Sequence, residues 1–238
     1  MKAKVNNIFS TLLALLKNNP HFFWALILPV FLACFFLLEI YGNNAQYWVS
    51  YTPLDDKIPF LSWFIIPYCM WYPSLFAIGL NHLIRDADAF RRYMWMLYLG
   101  FFGTLVFCLL FPNGQDLRVT LTEPLNVTER LVRGIYSIDT NTNVLPSMHV
   151  VAILTAFCAV LDSKTTRRPA VILPAAVLTV LITLSTVFTK QHSVLDIYAA
   201  AAYAAVLYVV VYVFIKRAQL KRRARGIVPG SKRAGKTE

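Results

Sequence analysis

Ser185–Asp196, STVFTKQHSVLD, joins two strongly apolar stretches and sets a lysine, a histidine and an aspartate between them. On a helix, positions i and i+4 share a face, so Asp196 is placed to accept a hydrogen bond from one ring nitrogen of His192. Such a bond fixes the tautomer and turns the other nitrogen outward as a nucleophile, base or ligand. The flanking stretches decide the fold, because each approaches the ~20 apolar residues that a membrane-crossing helix needs. An ionisable pair at such a boundary is costly without a partner and is a functional candidate by default. The plainer alternative for this stretch alone is a histidine and a carboxylate reaching towards water at the membrane boundary.

Outward from this stretch the rest of the chain is equally apolar. Of its 238 residues 58% are hydrophobic and 15% charged, too apolar for an ordinary soluble domain. Six stretches, 21–41, 59–81, 93–112, 145–161, 168–189 and 193–215, are long enough or nearly so to cross a bilayer. The expected fold is therefore all-α: a polytopic membrane protein with six transmembrane helices in one bundle over residues 21–215. A cytoplasmic segment 1–20 precedes it, and a basic tail, 216–238, expected to be disordered, follows.

A net charge of +11 would suit nucleic acid, but the cations lie in short clusters between apolar runs and topology explains them better. Of the 23 Lys and Arg, all but Lys57, Arg118, Arg130, Arg133 and Lys190 fall in the two terminal segments and the second and fourth loops. The positive-inside rule then puts both termini in the cytoplasm and the first, third and fifth loops outside. The expected partner is the lipid bilayer, and no nucleic acid is expected. Cys34, Cys69, Cys108 and Cys158 all fall in apolar runs without a CxxC pair, which argues against a disulfide framework or a structural zinc site.

The longest outer loop, 113–144, contains Asn126-Val-Thr-Glu129, a capping-box pattern, followed by Leu131, Val132 and Ile135 at helical spacing. A short amphipathic helix on the membrane surface is expected there. The loop ends in polar turn residues, Asp139–Asn143, and delivers the chain to Leu145-Pro-Ser-Met-His149. Proline suits a first helical turn, and the unpaired N–H groups behind it favour an anion. Ser147 adds a hydroxyl and His149 an ionisable ring.

On this topology His149, His192, Asp196, Ser147, Lys190 and Arg118 share the outer face. His21 and His82 lie at cytoplasmic span ends and are read as structural. Asp55 and Asp56 are expected to complement the amino terminus of the second span. Two histidines, one aspartate and several anion donors fit phosphoryl transfer through a phosphohistidine: one imidazole attacks phosphorus and the other protonates the leaving oxygen. Cations and N–H donors hold the equatorial oxygens. A zinc site of His149, His192 and Asp196 is the alternative chemistry, opposed by Lys190 and the helix-start anion cradle.

Pro146-Ser147-Met148-His149 resembles the PSxH motif of the phosphatidic acid phosphatase type 2 superfamily, and Ser185 through Asp196 resembles its SRxxxxxHxxxD motif. The resemblance implies that His192 is the nucleophile, that Asp196 orients it, that His149 is the general acid and that Ser147 binds phosphate. It implies hydrolysis of a membrane lipid phosphate or pyrophosphate without metal or other cofactor. The family's first motif, KxxxxxxRP, departs here: Arg118 is followed by Val119, and Phe111 holds the lysine position. Thr186 holds the arginine position of the third motif. Lys190 and Arg118 are the expected phosphate-binding cations, with Arg130 or Arg133 as further candidates, although a lysine gives a point charge where arginine gives a fork. A lipid phosphotransferase resembling the sphingolipid synthases, or an inactive lipid-binding scaffold, are the alternatives that this mixed pattern leaves open.

Overall fold

The computed structural model describes residues 23–24, 27–42 and 46–225. Segment 1–20, His21 and residues 226–238 of the expected tail lie outside the described residues. The bundle consists of α1 (Ile27–Gly42), the short α2 (Ile65–Cys69), α3 (Trp71–Arg85), α4 (Ala87–Leu110), α5 (Val127–Ile138), α6 (Met148–Asp162), α7 (Pro169–Phe188) and α8 (Val194–Tyr208). A π-helical segment, Val209–Ile215, continues α8 into α9 (Lys216–Ala224).

Four helical runs among the described residues are long and apolar enough to cross a membrane: Ser62–Arg85, Ala87–Leu110, Pro169–Phe188 and Val194–Arg222. Ile27–Ile40 and Met148–Asp162 are apolar but shorter. Large apolar side chains face outward from the helices, among them Phe76, Ile84, Leu110, Leu173 and Phe214, the distribution a lipid-facing surface requires and one that water would oppose.

α6 is the central helix. Its Val150 and Val151 pack with Met96 of α4 and Ala200, Ala204 and Leu207 of α8. Its Ile153, Ala156 and Ala159 join a second cluster with α4 and Phe31 of α1. Close approach depends on small residues, as it does wherever helices pack in lipid. A Cβ on Gly100 would lie 2.7 Å from a methyl of Val151, and one on Gly103 would overlap the Tyr203 hydroxyl.

Three elements differ from the sequence expectation. The second loop shrinks to Asp86, whose side chain accepts from the Ala89 N–H at 3.0 Å, so α4 starts early and carries Arg91 and Arg92 on its first turns. The tail is helical through Ala224, because Lys216 reaches Asp162 at 2.5 Å and Gln219 accepts from Arg92 at 3.0 Å. α5 has its capping box, with Asn126 Oδ1 accepting from Glu129 N and Glu129 Oε2 accepting from Asn126 N, both at 2.9 Å. Its Val132, however, is buried on Ile65 and Tyr68, so one face of α5 packs on protein.

The first and third loops are tied to each other. Trp48–Val49 (β1) pairs in parallel with Asn113–Gly114 (β2), and Gly114 bridges Thr142. Two loops far apart in the chain, the second through both of its ends, thus form one cap.

Candidate active site

α7 ends at Phe188 with the N–H groups of Gln191 and His192 turned back onto the Thr186 carbonyl at 2.9 and 3.0 Å. This reversal puts Lys190 at φ 55°, a left-handed position that glycine usually fills at helix ends. The Lys190 amine is anchored instead, donating to the carbonyls of Asp55 at 2.8 Å and Ile58 at 2.6 Å. That corrects the expectation for Lys190. Its ammonium holds the first loop and is not among the groups lining the cavity described below.

His192 lies two residues before α8, so it meets Asp196 across the helix cap and not along one helical face. His192 Nδ1 is 3.2 Å from Asp196 Oδ2. The same oxygen accepts from Ser193 N at 2.9 Å, and Oδ1 accepts from Ser50 Oγ at 2.5 Å. Asp196 is fully buried. A carboxylate held by three donors has one orientation available, and it presents the imidazole with Nδ1 inward and Nε2 outward.

Asp55 is the supporting residue that sequence reasoning placed elsewhere. It is almost wholly buried, and its carboxylate accepts from Val194 N at 2.8 Å and Ser193 Oγ at 2.7 Å. It therefore satisfies the start of α8, not the second span, because Lys190 draws the 55–58 turn against that end. Asp56 is on the other side of the turn, accepting from the Tyr51 hydroxyl.

Ser147 is the N-cap of α6 and is fully buried. Its N–H donates to the Asp196 carbonyl at 3.2 Å, and its Oγ accepts from Val150 N at 3.4 Å. This links the starts of α6 and α8 and brings the His149 ring within 5.8 Å of the His192 ring, centroid to centroid. Tyr68 and Trp71 flank His149 at 4.6 and 4.8 Å, and Trp71 donates to the His149 carbonyl at 3.0 Å.

The two imidazoles border a cavity of about 40 Å³, lined also by Asp139, Thr140, Thr142, Asn143 and Gln191, with Phe35, Val144 and Met148. At roughly 10–15 Å³ per water it holds about three waters, equivalent to the three oxygens of one phosphoryl group. Glu39 of α1 accepts from Thr140 Oγ1 and, at 2.6 Å, from Asn143 Nδ2, which fixes the loop wall.

Arg118 is beside this cavity but faces the protein. Its guanidinium donates to the carbonyls of Tyr136 (3.1 Å), Asp139 (2.7 Å) and Thr140 (2.6 Å) and to Gln191 Oε1 (2.6 Å). It also stacks on the Tyr136 ring at 4.6 Å. Arg118 thus shapes the wall, whereas the sequence pattern cast it as a phosphate fork. Arg133 pairs with Glu123 at 2.7 Å and Arg130 donates to the Leu125 carbonyl at 3.1 Å, both within the α5 region. No Lys or Arg is among the cavity-lining residues. Thr186 is fully buried and donates to the Thr183 carbonyl, and Phe111 ends α4.

Asp139 was read as a turn residue and proves to line the cavity. Tyr68 donates to its Oδ2 at 3.2 Å. Burial pushes its carboxyl above the usual carboxylate range, opposed by the charges of His192 and Arg118. Ser50, Asp55, Asp139 and Gln191 carried no local signal because their roles arise from loop packing. Gln191, next to His192 inside the quoted stretch, was the one within reach.

Among the described residues no three His, Cys, Asp or Glu side chains gather as a metal cage, the zinc alternative of His149, His192 and Asp196 included. No family model, curated protein or solved structure matches the chain.

Proposed function

We propose that this chain is an integral membrane phosphatase that hydrolyses a lipid phosphate or pyrophosphate through a phosphohistidine on His192. The observation that carries the reading is the buried Asp196 fixing His192 Nδ1 at 3.2 Å, with the His149 ring opposite. His192 Nε2 would attack phosphorus, forming the N–P bond as the P–O bond to the lipid breaks. The lipid oxygen would take its proton from His149, and the Asp196 carboxylate would balance the charge gained by the His192 ring. Water, deprotonated by the now neutral His149, would then cleave the N–P bond, releasing phosphate and restoring both rings.

The motif resemblance at Pro146–His149 and Ser185–Asp196 supports the same reading, and so does the distribution of Lys and Arg. In the proposed topology α1 and α6 complete six spans with the four longer runs, both termini are cytoplasmic and the cavity is extracytoplasmic. α6 starts beneath the loop cap, so a 15-residue helix suffices there.

The test is phosphate release by detergent-purified full chain from a panel of lipid phosphates, with chelator present. Release that survives chelator and disappears in His192→Ala, together with an acid-labile phosphoenzyme, is expected. Full activity in His192→Ala would end the proposal.

A further inference from the structure

Gln191 is 2% exposed and lines the cavity between His149 and His192. Its Oε1 accepts from Arg118 at 2.6 Å. Among the described residues its Nε2, also buried, has no hydrogen-bond partner. A buried amide N–H₂ left without an acceptor costs free energy, and this one borders a cavity sized for three oxygens. The guanidinium behind it fixes which end of the amide is oxygen and polarises the N–H groups. The backbone of the turn is held independently, since Gln115 Nε2 donates to the Lys190 carbonyl at 3.1 Å.

The charges around this donor are unusual for a phosphate site. Arg118 directs its two terminal nitrogens at three carbonyls and Gln191, with its Nε buried and, among the described residues, unpartnered; Lys190 spends its amine on two carbonyls, and neither cation lines the cavity. The side chains that face the cavity with a titratable group are Asp139, His149 and His192. Tyr68 stands behind Asp139, and Asp196 behind His192. A second negative charge on the ligand would meet the Asp139 carboxylate, and the proton that His149 gives up in the proposed reaction is the one positive charge facing it, with no Lys or Arg in the lining to add another.

We infer that Gln191 Nε2 is the donor to a non-bridging phosphoryl oxygen, and that the site takes a phosphoryl group bearing a single negative charge. That class is a phosphodiester, or a monoester that keeps one proton. The inference rests on the proposed phosphoryl pocket and names the form of phosphate it accepts.

The test compares dimethyl phosphate, which carries one charge throughout, with methyl phosphate, which gains its second charge above a pKa of about 6. Affinity is read as thermal stabilisation of the detergent-purified full chain by each ligand, a measurement independent of turnover. The two ligands should bind alike at pH 5.5, and at pH 8 methyl phosphate should fall about tenfold behind. Dimethyl phosphate keeps its single charge at both pH values and so reports how the protein's own titration affects binding of a monoanion. Gln191→Ala should weaken both about tenfold. Gln191→Glu, which keeps an acceptor for Arg118 but replaces the donor with a charge, should weaken them further.

Methyl phosphate binding at least as tightly at pH 8 would overturn the charge assignment. Unchanged affinity in both Gln191 variants would overturn the donor assignment, even with turnover abolished in His192→Ala. Turnover retained in His192→Ala would sink the phosphohistidine reading while leaving the ligand comparison to stand or fall by itself.

Discussion

The two ends of the bundle each bury a histidine, and the two are used differently. At the α3–α6 end, His82 is fully buried with its ring nitrogens 2.7 Å from the Ile78 carbonyl and 3.1 Å from the Ala159 carbonyl. Both nitrogens are occupied, and the ring pins two helices together. At the α6–α8 end, His192 commits one nitrogen to Asp196 and borders a cavity with the rest of its ring. The carboxylates differ in the same way. Asp162 is held by two cations, Arg92 at 2.6 Å and Lys216 at 2.5 Å, while Asp196 is held by hydroxyl, amide and imidazole donors. Burial is therefore common to both rings; the hydrogen-bonding capacity left over is what separates the structural histidine from the proposed nucleophile.

The sharpest way to break this contrast is to remove each ring. His192→Ala should cut hydrolysis by at least about 10³-fold while leaving thermal unfolding near wild type. His82→Ala should do the reverse, losing the ring's hydrogen bonds and packing between two helices at a cost of about 1–3 kcal/mol, read in denaturation, with turnover of the folded fraction unchanged. Similar activity losses in both variants would erase the distinction between the two ends.

Asp196→Asn comes next. It keeps the shape but loses the charge that orients and balances His192, and kcat should fall about 10²–10⁴-fold. Asp55→Ala should act more gently and through structure: with the acceptor of Val194 N gone, the start of α8 loses about 1–2 kcal/mol. Hydrogen exchange at residues 193–196 should report that loss before global unfolding does.

Asp139→Asn should give the smallest effect, visible as a change in pH dependence. Burial raises the folded pKa of this carboxyl above its unfolded value, so between those values the folded state binds the extra proton. Wild-type stability then declines as pH rises through that window. The asparagine variant should lack the decline and gain relative to wild type at neutral pH, the difference vanishing at pH 3. A wild-type curve that rises across the window would contradict the burial argument.

Much of the bundle was legible from hydrophobic runs alone, because apolar length is a local property. The stretches around 93–112 and 168–189 are helices whose ends move only where caps such as Asp86 intervene. The pairing of His192 with Asp196 was legible because four residues of spacing restrict the geometry, although the contact is made across a cap. What escaped is non-local. Lys190 looked like a phosphate ligand by proximity to His192, yet its amine is directed by residues 132 and 135 positions away. Asp55 was assigned to the nearest helix start in sequence, and packing gave it to one far along the chain. Gln191 had no pattern to announce it. Its significance depends on Arg118 taking one end of the amide and a cavity facing the other.

The tie between Asp55 and Ser193 spans 138 residues, and that between Ser50 and Asp196 spans 146. A ribosome makes the first member of each pair long before the second exists. Until the last long helix is inserted, the Asp55 carboxylate has only its local donors on Thr52 and the Ser50 hydroxyl lacks its acceptor, so those contacts and the parallel β1–β2 pairing are what can pre-order the early loop. The candidate site is thus completed only when the start of the last long helix is in place. A chain arrested before residue 193 would have most of its membrane helices and none of its proposed chemistry, so activity would appear only when synthesis is all but finished.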